Sequence, residues 1–232
     1  KGEEAIIIAN GPSLNDINLL KLKDKNLIFM NRGFMHNDYE NLKPEFHFII
    51  DDKLNNGIWP LSFIDSIFKK NPNVKLFLNA KWHKNEEIIS YEKKYKNQIY
   101  WIDTRLFFTK FFESRKIDIT RLTFGNAVVG SIFSSLVYMG INKIYFLGQD
   151  FNGLCYELIN KNSHFYGNNH ENSEKDHIQI YQDLFSMSVS LRNWINIKNF
   201  ANQNNLELYN LSDKGIFHMI PHKNFNDFIN EG

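Results

Sequence analysis

Short apolar runs recur along this chain, and several of them stop abruptly at Asn or Asp. Residues 5–9 stop at Asn10, 27–30 at Asn31, 46–50 at Asp51, and 143–147 at Gly148-Gln149-Asp150. Residues 74–78, 99–102 and 206–211 are runs of the same kind. Runs this short, rich in β-branched and aromatic residues, read as strands of a parallel sheet buried on both faces. Between them lie helical patterns over 58–70, 86–96 and 126–139, with Gly140 suited to the C-cap of the last. A further helix places Ile180, Leu184, Met187, Leu191, Trp194, Ile195 and Ile197 on one side, and an irregular tail follows. Strands alternating with helices predict an α/β protein. The expected form is a Rossmann-like three-layer sandwich around a mostly parallel sheet, in one domain over 1–232.

Parallel sheets bind ligands at the carboxyl ends of their strands, near a switch in strand order. Asn10, Asn31, Asp51 and Asp150 all fall at such ends, so four distant segments bring polar groups to one edge. Composition removes other classes. A net charge of +1 without a basic block gives no electrostatic footprint for nucleic acid. The single Cys155 excludes an internal disulfide framework and a Cys-rich zinc site. Lys1-Gly-Glu-Glu leads straight into the first strand, so no signal peptide is expected. The apolar stretch 131–148 is broken by Gly140, Asn142 and Lys143 and reads as helix, turn and strand.

The edge residues carry chemistry of different kinds. In Asn10-Gly11-Pro12-Ser13, Gly11 permits close backbone approach to a ligand, and the helix expected next offers free N–H groups to a phosphate. The same residues also suit an ordinary capped turn, with Ser13 or Asn15 as the cap. Asn31 and Asp51 can read a ribose or base through hydrogen bonds. Asp51-Asp52 can alternatively hold Mg²⁺ on a polyphosphate, while Asp52 and Lys53 read best as a solvated loop start. Asp150 can orient a sugar or ribose hydroxyl, or cap a short turn. Arg121 and Thr123 precede the helix near Gly125 and suit a phosphate or carboxylate. Residues 151–174 are polar, lack a period and read as a lid. The lid holds Tyr156, whose hydroxyl can face a leaving phosphate. It also holds Asn162-Ser163-His164-Phe165-Tyr166-Gly167, whose imidazole can take a proton from an attacking hydroxyl. His164, His170 and His177 match no standard zinc spacing.

Taken in order, these motifs resemble the bacterial sialyltransferases of glycosyltransferase family 42. The resemblance rests on Asn10 to Ser13, Asn31, the Arg121-x-Thr123-x-Gly125 stretch, Gly148-x-Asp150-Phe151 and Asn162 to Gly167. It implies a GT-A-variant fold with a lid over about 151–174. It also implies inverting, metal-independent transfer of a nonulosonic acid from a CMP-activated donor to an acceptor hydroxyl. His164 would be the general base, Tyr156 would assist the departing phosphate, and Arg121 would complete the catalytic set. Asn10, Gly11, Ser13, Asn31, Asp51, Thr123, Gly125, Gly148, Asp150 and Ser163 would bind donor or nucleotide. The implied partners are a nucleotide-sugar donor and a glycan or glycoconjugate acceptor, with no cofactor. Homo-oligomerisation and association with the inner face of a membrane stay open for an otherwise cytoplasmic protein.

Departures from that pattern bear on the donor: Asp51 replaces an Asn, Phe124 a Ser and Asn152 a Tyr. The front Gly-Pro-Ser-Leu, Asp51 and Gly148-Gln149-Asp150 are also similar to the motility-accessory-factor and MptE-like proteins, the latter including archaeal hydroxymethylpterin pyrophosphokinases. That likeness implies a rival, an ATP-dependent pyrophosphokinase with Mg²⁺ on Asp51 and Asp150. A nucleotide-binding module without catalysis is the third expectation.

Overall fold

The computed structural model describes residues 4–104, 128–159, 161–167 and 176–231. Seven parallel strands form one sheet in the order β5-β4-β3-β2-β1-β6-β7. They are β1 (Glu4–Ile8), β2 (Leu27–Met30), β3 (Phe46–Ile49), β4 (Lys75–Asn79), β5 (Ile99–Ile102), β6 (Lys143–Leu147) and β7 (Glu207–Asn210). The helices are α1 (Tyr39–Leu42), α2 (Ser62–Lys70), α3 (Glu86–Lys94), α4 (Val128–Tyr138), α5 (Gly153–Leu158), α6 (His177–Gln203) and α7 (Phe225–Asn230).

The alternation of side chains along each strand builds the three layers. Ile6 and Ile8 of β1, Phe29 of β2, Leu76 and Leu78 of β4 and Leu147 of β6 face one core, with Ile64 and Ile67 of α2 and Phe225 and Phe228 of α7. Ala5 and Ile7, Ile28 and Met30, Phe48 and Phe146 face the other, against α4 through Ile132 and Phe133 and α6 through Trp194, Ile197 and Phe200. Full burial of each such side chain is worth about 1.5–3 kcal/mol. This explains why the central strands read as unbroken apolar runs.

Four local expectations are corrected. No α-helix follows Asn10-Gly11-Pro12-Ser13; two 3₁₀ segments, Pro12–Asp16 and Leu19–Leu22, take its place. The first is capped by Gly11, which has no side chain to bond, and the Ser13 hydroxyl bonds Asp150 instead of capping. The tail ends in α7, whose Phe225 and Phe228 close the first core. The apolar stripe of α6 is buried only in part: Trp194 and Ile197 are covered, while Leu184 and Ile195 are about half exposed, together with Ile178, Tyr181 and Phe185. The lid region is not wholly without period either, since α5 occupies its beginning.

The strand order reverses between β1 and β6, and there the two outgoing loops are joined directly. The Gly11 amide donates to the Gly148 carbonyl at 2.8 Å. The Asp150 carboxylate accepts from the Ser13 amide at 2.8 Å and the Ser13 hydroxyl at 2.6 Å. Gly148, with φ of +72°, takes the left-handed turn that brings Asp150 back over β1. Its amide donates to Ser212 Oγ at 2.8 Å, which fastens β7's exit to the same point. A Cβ on Gly11 would meet the Gly148 carbonyl and lie within 2.6 Å of the Asp150 carboxylate. The Gly11→Ala protein is therefore expected to lose about 1–3 kcal/mol of stability, read as a lowered urea midpoint with an unchanged m-value. Wild-type stability in that variant would contradict the contact.

Candidate functional site

Asn10 leaves β1 beside Asn31, which leaves β2. Asn10 Nδ2 donates to the Met30 carbonyl at 3.3 Å, holding the two strand ends together. Asn31 has a φ of +46°, a left-handed conformation that Asn tolerates better than most residues. The carboxamide oxygens of Asn10 and Asn31 are both buried without a hydrogen-bond partner among the described residues. Buried acceptors are almost always paired, and leaving one unpaired costs about 1–3 kcal/mol. These two, at the ends of neighbouring strands, can each take a donor from a ligand.

The Asn31 turn is held from below by a histidine that sequence reasoning missed. His47, fully buried in β3, places Nε2 2.8 Å from the Asn31 carbonyl. A carbonyl can only accept, so Nε2 carries the proton, and Nδ1 accepts from the Tyr39 hydroxyl at 3.0 Å. Burial lowers the His47 pKa to about 4, with the bond to Asn31 opposing, and keeps the ring neutral. Burial likewise raises the Tyr39 hydroxyl well above its usual range. The signal was legible: a His flanked by Phe46 and Phe48 in a doubly buried strand must be bonded at both nitrogens.

Asp150 is 2% exposed, and burial raises its pKa, with the Ser13 bonds opposing. What approaches Gly11 most closely is the Gly148–Asp150 loop itself. Asp51, at the end of β3, accepts the Lys53 amide at 3.0 Å in a local turn. Asp52 accepts from the Trp82 indole at 2.8 Å and acts as an anchor for the 80–84 turn.

The segment 161–167 meets this edge. The Phe165 amide donates to the Asn10 carbonyl at 3.1 Å, and Asn15 Nδ2 donates to the Phe165 carbonyl at 3.3 Å. This places Ser163 and His164 beside Asn10. Ser163 is buried, and its Oγ lies 2.9 Å from His164 Nδ1. When Nδ1–H donates to that hydroxyl, the ring is the neutral tautomer with Nε2 unprotonated. Tyr156 lies in α5, where its ring faces the Lys161 ammonium at 5.9 Å. Asn10, Gly11, Ser13, Asn31, Gly148, Asp150, Ser163 and His164 thus converge, with Asp51 two strands from β1 along the same edge. Arg121, Thr123, Gly125 and His170 lie outside the described residues. Among the described residues, no group of three or more His, Cys, Asp or Glu converges to hold a metal, and no helix is long and apolar enough to cross a membrane.

A seven-stranded parallel sheet with polar groups gathered at its switch point defines a Rossmann-like α/β protein. The chain belongs to the 6-hydroxymethylpterin diphosphokinase MptE-like family, which matches residues 1–154. In fold it is similar to the sialyltransferase CST-II in complex with a trisaccharide acceptor and CMP, at 15% identity and a TM-score of 0.53, covering 96% of this chain and 89% of that one. The CstII structure from Campylobacter jejuni with the substrate analogue CMP-3FNeuAc aligns at 15% identity, the same coverage and a TM-score of 0.42. No curated protein sequence matches.

His47 ties stability to pH. Its folded pKa of about 4 lies below the ordinary 6.5, so the unfolded chain binds more protons between those values. Stability from this group is therefore complete above pH 6.5 and falls as pH drops toward 4. At about 1.4 kcal/mol per pKa unit, the loss across that window approaches about 3 kcal/mol. Urea unfolding at pH 7 and pH 4.5 should show this decline in the wild type and a flatter profile in His47→Gln; equal slopes would refute it.

Proposed function

We propose that this protein is a glycosyltransferase that moves a nonulosonic acid, sialic acid or an analogue, from a CMP-activated donor to an acceptor hydroxyl on a glycan or glycoconjugate. The observation that carries this reading is the pair of unpartnered buried oxygens of Asn10 and Asn31 beside the His164 segment. A nucleotide brings ribose hydroxyls and, in cytosine, an amino group, all donors that such oxygens require. The crystallised sialyltransferase of similar fold binds CMP and a trisaccharide.

In this reading Asn10 and Asn31 hold the nucleotide, with Gly11 and Gly148 shaping its cradle and Asp51 at the margin. Asp150 acts on the donor through Ser13, by fixing the loop against which the donor lies. The acceptor oxygen attacks the anomeric carbon as its bond to the CMP phosphate breaks. The acceptor's proton passes to His164 Nε2, and Ser163 orients the ring through Nδ1. Tyr156 assists the departing phosphate. Arg121, Thr123 and Gly125 take the roles implied by the resemblance, beside the phosphate or the sugar carboxylate. No metal enters the reaction.

Family membership favours a second reading, a Mg²⁺-dependent diphosphokinase using Asp51 and Asp150. The donor set fits it poorly, because both Asp150 oxygens already accept hydrogen bonds from Ser13. Thermal shifts with CMP, CDP, UDP, GDP and ATP, each with and without Mg²⁺, separate the readings. CMP should raise the melting temperature regardless of Mg²⁺, and saturating ligand at about 100 times its Kd adds about 2.7 kcal/mol. Stabilisation by ATP and Mg²⁺ alone would overturn the transferase. Turnover of a CMP-nonulosonic acid should persist in EDTA and fall about 10²–10⁴-fold in His164→Ala while CMP still binds.

A further inference from the structure

The segment 161–167 is gripped at two consecutive residues. Phe165 is held by its main chain, through Asn10 and Asn15, and its ring packs against His36 at 5.3 Å. Tyr166 is held by its ring. The Arg32 guanidinium sits over that ring, 4.1 Å from its centroid. The same ring lies parallel to the His164 imidazole, with centroids 4.9 Å apart and planes inclined by 8°. Arg32 follows Asn31 at the end of β2, is 1% exposed, and also faces the Phe63 ring at 6.0 Å. Its guanidinium thus faces a ring of α2 as well as a ring of the 161–167 segment.

We propose that Arg32 is a positioning residue for His164, acting through Tyr166. This rests on His164 being the base of the transfer. The bond to Ser163 restrains one atom of the imidazole in the plane of the ring. A flat ring stacked on its face restrains its tilt. The Tyr166 ring can do this only if it is itself immobile, and a desolvated guanidinium over an aromatic face supplies a strong anchor. Two restraints, one in the plane of the imidazole and one on its face, then aim Nε2. A base misplaced by about 1 Å can lose about 10²-fold in rate.

The test compares Tyr166→Leu, Tyr166→Phe, Arg32→Met and Arg32→Lys in the full chain with a CMP-nonulosonic acid donor. Tyr166→Leu and Arg32→Met should each lower kcat about 10–100-fold with the donor KM unchanged. Tyr166→Phe keeps the ring and should recover most of the loss, and Arg32→Lys should recover part of it. Proton NMR of the His164 ring, assigned by its loss in His164→Gln, reads the geometry without activity. Its C–H resonances should carry a ring-current shift in the wild type and move in Tyr166→Leu and Arg32→Met. Those of His83, packed against Trp101 at 4.7 Å, should stay in place. Unmoved His164 resonances in a folded Arg32→Met, or wild-type kcat in Tyr166→Leu, would overturn the proposal. Should Arg32→Met unfold, Arg32→Lys and the two Tyr166 variants decide it. A wild type that turns over no such donor removes the transferase reading, and the resonances then decide the stack alone.

Discussion

The Asp150 carboxylate bonded to Ser13 is the contact on which the site depends. It joins residues 137 positions apart at the point where the sheet reverses its order. A buried carboxylate is expensive to desolvate, and its raised pKa records that cost. Two short bonds from one residue, amide and hydroxyl, offset it. What is gained is position. With Ser13 fixed, Gly11 can lie against Gly148, Asn10 is presented at the end of β1, and its carbonyl is free to receive the Phe165 amide. The main-chain link to the His164 segment therefore runs through this clamp, and the Arg32–Tyr166 contact adds a second attachment from β2.

The neighbouring strand shows a different use of polar groups. Asn31 occupies a left-handed turn, a conformation that most side chains make unfavourable. Its carbonyl is satisfied by His47 and its carboxamide oxygen by nothing among the described residues. The support is complete and the tip is not. That division is what a binding site needs, since a fully satisfied tip would have no reason to take a ligand, and an unsupported one would relax until it found a partner. His47 performs this support at the expense of tolerance to acid, because an imidazole fully buried against Phe34 and Tyr39 cannot charge without losing its place.

Much of this was legible in the sequence, for a physical reason. Strands buried on both faces are unbroken apolar runs, and their ends are where polarity returns, so Asn10, Asn31 and Asp150 could be assigned to one edge without knowing the strand order. What escaped was whatever depends on contacts between distant segments. Ser13 looked like a helix cap because Ser before an apolar stretch usually is one, but Asp150 claims its hydroxyl and the segment winds as 3₁₀. Arg32 carried no local signal, since nothing near it in sequence says that Tyr166 will lie beneath it. The periodicity of α6 indicated one apolar stripe, yet a stripe does not say how much of its length finds a sheet to cover, and the first half reaches past it. His47 was readable and went unread: its neighbours alone implied burial, and burial of an imidazole implies two partners.

The two proposed readings call for different chemistries at one edge. Either would hold a nucleotide at the ends of β1 and β2, where Asn10 and Asn31 offer polar groups without charge. Transfer of a diphosphate further needs anionic oxygens free to hold a cation. Here the oxygens of Asp150 are committed to the loop, and Asp51 is left without a second carboxylate from β6. Transfer of a sugar needs a neutral base over the nucleotide and no added charge. In the proposed transferase His164, stacked on Tyr166 and with Nδ1 bonded to Ser163, would take that role. The difference between the two chemistries on this scaffold thus reduces to whether the carboxylate after β6 closes the loop or faces the ligand, and in this chain it closes the loop.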